Sequence, residues 1–409
     1  MRGLYLKFFS RSLAILFFCS VGIGIAASNE SHTDAYPEKT WTIASAADVD
    51  LNPLRVKRLF DLSFQDPATQ GVALFKQGVL VDERYAEGFN KDSLATSWSM
   101  AKSFYAALIG ISIERGEIGH LDDKVSQYLD YFKDDRQDIT IRHLLNMTSG
   151  LDVPDHEHEN MFFTQDHLAY AKKVGTDKAP GDKFEYNNVN SMLLADILFR
   201  VTGVPADTLL RERILKKIGI NKVTLWQDAA GNSLTYCCID ATVRQYARFG
   251  LLFARGGKWQ DQQIVPRQFI EETFQMIWSD LPSNSIQQRR GYSLHWWISH
   301  YKEQAKIFNT SGKFGQYIFV DPLNDMVFVR VTKYHPTGGE KINWGSLRFI
   351  NKLGNVEFRR KLASFLSNIG LIDIPGDIRA PMTFDDGISN EFFANYSSIV
   401  EAIVELNQP

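Results

Sequence analysis

The sequence predicts an α+β fold, and three observations carry that prediction. Candidate strands cluster towards both ends of a central body, a helix apolar on nearly every face follows the first cluster, and a mainly helical stretch separates the two. Strands joined by short turns pair antiparallel, so one sheet is assembled from two discontinuous regions with helices between them. At 409 residues, 44% hydrophobic and 23% charged, the chain has the composition of a globular protein with one or two cores, not of a disordered, collagen-like or multi-span membrane protein. Lys and Arg (45) against Asp and Glu (48) leave a net charge of -3, so no basic field exists to collect nucleic acid.

The elements follow in order. Residues 1–27 place Arg2, Lys7 and Arg11 before an apolar run from Leu13 that closes on Ala26, Ala27 and Ser28, the three-part pattern of an export signal. The run is short of the ~20 residues a spanning helix needs, so the expectation is a cleaved signal and a periplasmic or secreted protein without stable membrane insertion. An uncleaved anchor in the inner membrane is the weaker alternative. Residues 28–59 read as a polar extension. Residues 71–86 read as a hairpin, GVALF and VLVDERY about a turn at Lys76-Gln77-Gly78. The buried helix opens at Ser99 and closes at Gly116.

Further helices are expected after Thr140, Asn190 and Pro205 and over Ala241 to Arg255, each with its cap or stop signal. Strands resume at 292–299, 316–320 and 326–333, and from Glu357 an amphipathic helix aligns Phe358, Leu362, Phe365, Leu366 and Ile369. Residues 371–409 form an acidic tail with a late apolar series. After Cys19, Cys237 and Cys238 remain; a bridge between neighbours is strained, so two buried free thiols are expected. His156-Glu157-His158-Glu159 lacks the second His of His-Glu-x-x-His and reads as a solvated loop, so no metal or other cofactor is expected.

Ser99-Met100-Ala101-Lys102 sets a hydroxyl and an amine one turn apart at the start of the buried helix. A lysine in a dry site can lose its proton and activate the serine. Ser299-His300-Tyr301-Lys302 repeats the spacing but follows a Trp-rich strand, and is read as a decoy. Phe184-Glu185-Tyr186-Asn187-Asn188 offers a phenol and an amide just before a helix, and Lys313-Phe314-Gly315-Gln316 offers a cation and a glycine at a strand start.

Ser-x-x-Lys, Tyr-x-Asn and Lys-x-Gly, in that order, resemble the serine β-lactamase and penicillin-binding-protein superfamily. The segments SWSMAKSF, LDDKVSQYL, ITIRHLLNMTSGLD, YCCIDATVRQYARFGLL and GKFGQYIFVDP are similar to its class C-like esterases and 6-aminohexanoate-dimer hydrolases. The resemblance implies a β-lactamase/transpeptidase-like fold over about 60–370. A five-stranded antiparallel sheet flanked by helices would come from about 60–119 and 270–370, and an all-helical region from about 120–269. It implies Ser99 as acylated nucleophile, Lys102 as base and Tyr186 as proton shuttle. Asn188, Lys313, Gly315 and Gln316 would then bind substrate, with the N–H groups of Ser99 and Gln316 forming the oxyanion hole. Phe314 and Gln316 depart from the pattern of true β-lactam enzymes and offer bulk and a neutral amide instead. The expected partner is therefore a small ester or amide. The alternatives are a β-lactamase or D-alanyl-D-alanine carboxypeptidase acting on cell-wall peptides, and a non-catalytic ligand-binding or sensor protein of the same fold.

Overall fold

Alternating turn and apolar signals do produce the first hairpin, β1 (Thr69–Lys76) and β2 (Val79–Tyr85), closed by Gln77 and Gly78 at φ 52° and 75°, the conformation a two-residue turn requires. The computed structural model describes residues 35–154, 160–275, 278–281, 288–301, 305–333, 362, 365–366, 369–371 and 390–408. The expected export signal, the His156–Glu159 cluster and most of the helix expected from Glu357 lie outside them.

Short strands β3 (Ala95–Thr96), β4 (Thr224–Leu225) and β5 (Ile239–Ala241) form a small sheet in the order β3-β5-β4, and β6 (Lys258–Trp259) pairs with β7 (Gln262–Gln263). The remaining strands, β8 (Trp278–Leu281), β9 (Gln288–Ser293), β10 (Trp296–Tyr301), β11 (Ala305–Gly312), β12 (Gln316–Asp321) and β13 (Met326–Thr332), complete one large antiparallel sheet in the order β2-β1-β13-β12-β11-β10-β9-β8. The sheet thus has eight strands rather than five, because β8, β9 and β10 extend it. The single strand expected over 292–299 is two strands, folded back at Leu294 and His295.

Every residue of β1 is buried, so both faces of the sheet are covered. Ala73, Phe75, Ile318, Val320, Val327 and Val329 pack on the side of α2 (Ala101–Glu114) and α7 (Val243–Ala254). Val72, Leu74, Phe319 and Phe328 pack on the other side, against α1 (Pro53–Ser63) and α9 (Asn390–Leu406). The helices α3 (Ile141–Leu145), α4 (His167–Lys172), α5 (Asn188–Thr202), α6 (Ala206–Leu210) and α8 (Arg267–Thr273) complete the described set. Among the described residues no helix is long and apolar enough to cross a membrane.

Local chemistry explains the element starts. Thr140 caps α3 and Thr242 caps α7, each in a reciprocal box, the second closed by the Gln245 side chain. Asn187 rather than Asn190 caps α5, so the helix begins at Asn188. The sequence reading missed α1, although Asn52 caps it and Pro53 begins it. The free-thiol expectation is corrected: Cys237 and Cys238 are joined in a disulfide, at a point where Cys238 takes φ 87°.

Candidate active site

Ser99 sits in a tight 3-10 turn, Trp98–Met100, that feeds directly into α2. Trp98 is held at φ 48°, an uncommon conformation for a bulky side chain, which persists because its neighbours are clamped. The Ser97 amide bonds to the Ile239 carbonyl (2.8 Å), the Ile239 amide returns to Ser97 Oγ (2.9 Å), and Ser97 Oγ donates to the Trp98 carbonyl (2.9 Å). The short sheet therefore anchors the turn that presents Ser99.

One helical turn on, Lys102 is 1% exposed. Its Nζ lies 2.9 Å from Ser99 Oγ, 2.8 Å from Asn188 Oδ1 and 2.8 Å from the Tyr236 carbonyl oxygen. Burial holds the amine well below its ordinary pKa. Tyr186 is hydrogen-bonded to the Ser99 side chain, its ring centroid is 5.1 Å from Lys102 Nζ, and burial pushes its phenol up. The structure thus brings Ser99, Lys102, Tyr186 and Asn188 together, from the 3-10 turn, α2, the loop before α5, and the first residue of α5.

The third motif sits differently. Lys313, Phe314 and Gly315 form the three-residue turn between β11 and β12 instead of starting a strand, with Phe314 at φ 64° and Gly315 at φ 86°. Gly312, not Gly315, makes the close approach to the serine turn: a Cβ there would lie 2.2 Å from the Ser97 carbonyl oxygen. Gly315 instead packs on the Arg330 guanidinium, and Lys313 Nζ lies 5.1 Å from the Phe314 ring centroid. The neutral amide expected from Gln316 is not offered outward. That side chain is fully buried, accepting from the Thr332 amide at 2.9 Å and donating to Thr332 Oγ1.

Aromatic rings line both sides. Trp98 meets Phe314 edge-on at 4.9 Å and stacks with Phe162 at 6.4 Å; Tyr186 lies 5.7 Å from Trp297 and 6.1 Å from Tyr292. The decoy Ser299 is buried, its Oγ 2.9 Å from Tyr396 Oη. Sequence reasoning missed the Tyr236 carbonyl, for which no side-chain signal exists, and His295. The aromatic-rich GYSLHWW run was a signal for burial there, but not for a turn.

The Beta-lactamase family model matches residues 63–351. A D-aminopeptidase from Brucella anthropi is 30% identical over 176 residues, 39% of this chain and 33% of that protein. Penicillin-binding protein 4* from Bacillus subtilis is 30% identical over 157 residues, 35% of this chain and 34% of that protein. The match thus spans about a third of the length of these curated relatives. Among solved structures, a protein assigned as a 6-aminohexanoate-dimer hydrolase from Bacillus anthracis superposes with a TM-score of 0.61 at 22% identity, over 80% of this chain and 89% of that one. A family VIII carboxylesterase gives 0.57 at 17% identity, over 70% and 93%. These likenesses show the shared fold, and the family match covers well over half of the chain. The chain belongs to the beta-lactamase family of serine hydrolases.

Proposed function

We propose that this chain is an exported hydrolase that cleaves small esters or amides through an acyl-enzyme on Ser99. The observation that carries the reading is the three-way contact of Lys102 Nζ. A neutral amine has two N–H donors and one lone pair. The Asn188 and Tyr236 oxygens take the two N–H groups, which leaves the lone pair facing the Ser99 hydroxyl. When Lys102 accepts the serine proton, the ammonium formed has three N–H groups and three acceptors already in place. One geometry therefore serves both protonation states, and little has to reorganise during the step.

In acylation, Ser99 Oγ bonds to the substrate carbonyl carbon as its proton passes to Lys102. Tyr186 gives its phenolic proton to the departing oxygen or nitrogen, and the proton on Lys102 restores the phenol. Water then attacks the acyl carbon and the proton flow reverses, releasing the acid and regenerating Ser99. The names of the relatives, an aminopeptidase and a carboxylesterase among them, support amide and ester substrates alike. Esters are the readier class because an alkoxide or phenoxide leaves more easily than an amine. Export rests on the pattern of residues 1–27, and amino-terminal sequencing of the protein from the culture medium or periplasm checks it.

A fluorophosphonate probe is expected to label Ser99 alone, read by intact mass and peptide mapping, since among the described residues Ser99 is the serine with this activated lysine beside it. Labelling that survives Ser99→Ala overturns the assignment. A second comparison fixes the substrate class: kcat/KM for a p-nitrophenyl ester of a short acid should exceed that for a chromogenic cephalosporin. The Lys313–Gly315 turn carries the Phe314 ring where a hydroxyl would bind a β-lactam carboxylate, and the Gln316 side chain is turned inward. A cephalosporin value equal to or above the ester value favours the β-lactamase alternative.

Gly312→Ala tests the approach of β11. The new methyl group meets a backbone oxygen that cannot swing aside, so the Ser97–Ser99 turn must move. A shift of about 1 Å at a reacting group can lower turnover ~10²-fold. That loss should appear in kcat for the ester with the circular dichroism spectrum unchanged; full activity would show that the turn tolerates displacement.

A further inference from the structure

We infer that His295 is a positioning residue for this site, setting the catalytic phenol of Tyr186 through Tyr292. The inference rests on the proposed roles of Ser99 and Tyr186.

The hairpin that carries His295 is unusual in physical terms. Ser293 and Trp296 pair across a two-residue turn, so Leu294 and His295 are its two central positions, at φ 43° and 65°. Such turns favour Asn-Gly or Asp-Gly, whose first residue tolerates positive φ and whose second has no Cβ to strain. Here both positions hold branched or ring-bearing side chains, and both are buried. A turn tip is ordinarily solvated. Local propensity and burial both oppose this arrangement, so the surrounding contacts must enforce it.

Those contacts lead to the site from four sides. The His295 amide donates to the Leu145 carbonyl at 2.9 Å, and its own carbonyl accepts from Ser103 Oγ at 2.6 Å. Ser103 adjoins Lys102 on α2. His295 Nε2 lies 2.9 Å from Ser191 Oγ, one turn beyond Asn188 on α5. His295 Nδ1 lies 3.3 Å from Tyr292 Oη. The Tyr292 ring then meets Tyr186 edge-on at 6.1 Å and 88°, and stands 5.2 Å from Phe184 and 4.8 Å from Trp297. The His295 backbone thus fixes the turn to α2 and to Leu145, while the imidazole ties it to α5 and to Tyr292, which packs on Tyr186. The ring presents one nitrogen to each hydroxyl, Nε2 to Ser191 and Nδ1 to Tyr292. Burial holds the ring neutral, so one ring nitrogen donates and the other accepts.

The role through Tyr186 predicts a selective defect. Tyr186 matters most where the leaving group needs a proton, and least where p-nitrophenoxide departs unaided. His295→Asn and His295→Gly both suit positive φ and both lose the bridge. Each is expected to lower kcat for an alkyl ester or anilide at least ten-fold, to lower kcat for the p-nitrophenyl ester of the same acid less than three-fold, and to leave KM unchanged. Tyr292→Phe, which removes one oxygen and keeps the ring, should show the same selectivity, and combining it with His295→Asn should add little further. Tyr186→Phe is the reference: if it shows no dependence on the leaving group, the proposed role of Tyr186 fails, whatever His295 does. If Tyr186→Phe is selective but the His295 and Tyr292 variants lose both substrates equally, lose affinity instead, or lose nothing, the inference about His295 is overturned.

Discussion

Replacing Lys102 by Ala or by Arg is expected to lower kcat by about 10²–10⁴-fold, the range a positioned proton-transfer group contributes. The Arg variant is the sharper test. A guanidinium keeps its charge at any accessible pH and has no lone pair to offer, so it puts a permanent cation near Ser99 and removes the base. Substantial activity in Lys102→Arg would show that charge, not proton acceptance, is what the lysine supplies. The sign of the pH dependence follows from the same burial. With the folded pKa well below the ordinary 10.5, kcat/KM should rise as pH climbs through the depressed value and then level off. Activity that instead fell on that rise would mean the ammonium is the working form. Stability runs the same way: below pH 10.5 the unfolded chain binds a proton that the buried site refuses. The cost to the fold grows as pH drops towards the folded pKa and is constant beneath it.

Asp66→Ala is expected to destabilise the fold by about 3–5 kcal/mol, because it strands a buried guanidinium without its counter-charge. Arg330 Nη2 lies 2.6 Å from Asp66 Oδ2 and 3.1 Å from Thr69 Oγ1, and the paired side chains are 1% and 4% exposed. The same guanidinium supports Gly315, whose Cβ position lies 2.4 Å from Arg330 Nη1. The turn after β11 therefore loses its floor along with the ion pair. Urea denaturation measures the loss, and the Asp66→Leu, Arg330→Met double variant should be more stable than either single change, since an apolar pair leaves no unpaired charge. A single variant as stable as the parent would show that water reaches the site and solvates the charge.

What the sequence conveyed about this molecule divides by the kind of signal involved. The Ser99 and Lys102 spacing is a property of helix geometry, and Tyr186 and Asn188 stand beside a recognisable helix start, so the side chains that meet in the structure could be read in advance. The hairpin at Gln77-Gly78 was legible because its turn chemistry is orthodox; the one at Leu294-His295 was not, because buried residues occupy positions where glycine or asparagine is the usual marker. For the same reason the turn that carries the third motif is not legible beforehand: Phe314 takes a positive φ where glycine or asparagine is the usual marker, and the strand begins only at Gln316. The Tyr236 carbonyl was out of reach altogether, since every residue carries one and tertiary structure alone decides which points at a lysine.

The layer made by α1 and α9 sets an order on how this protein comes into being. Arg58 bonds to Glu405 across 347 positions, and Asn395 to the Leu62 carbonyl across 333, so one side of the sheet is roofed by segments from far apart in the chain. A growing polypeptide can pair β1 with β13 and still present Val72, Leu74, Phe319 and Phe328 to water until residues 390–406 have left the ribosome. Such an uncovered apolar face is sticky, and the loop closed by the last helix is entropically among the most demanding in the molecule. That face of the sheet is therefore complete only once α9 docks.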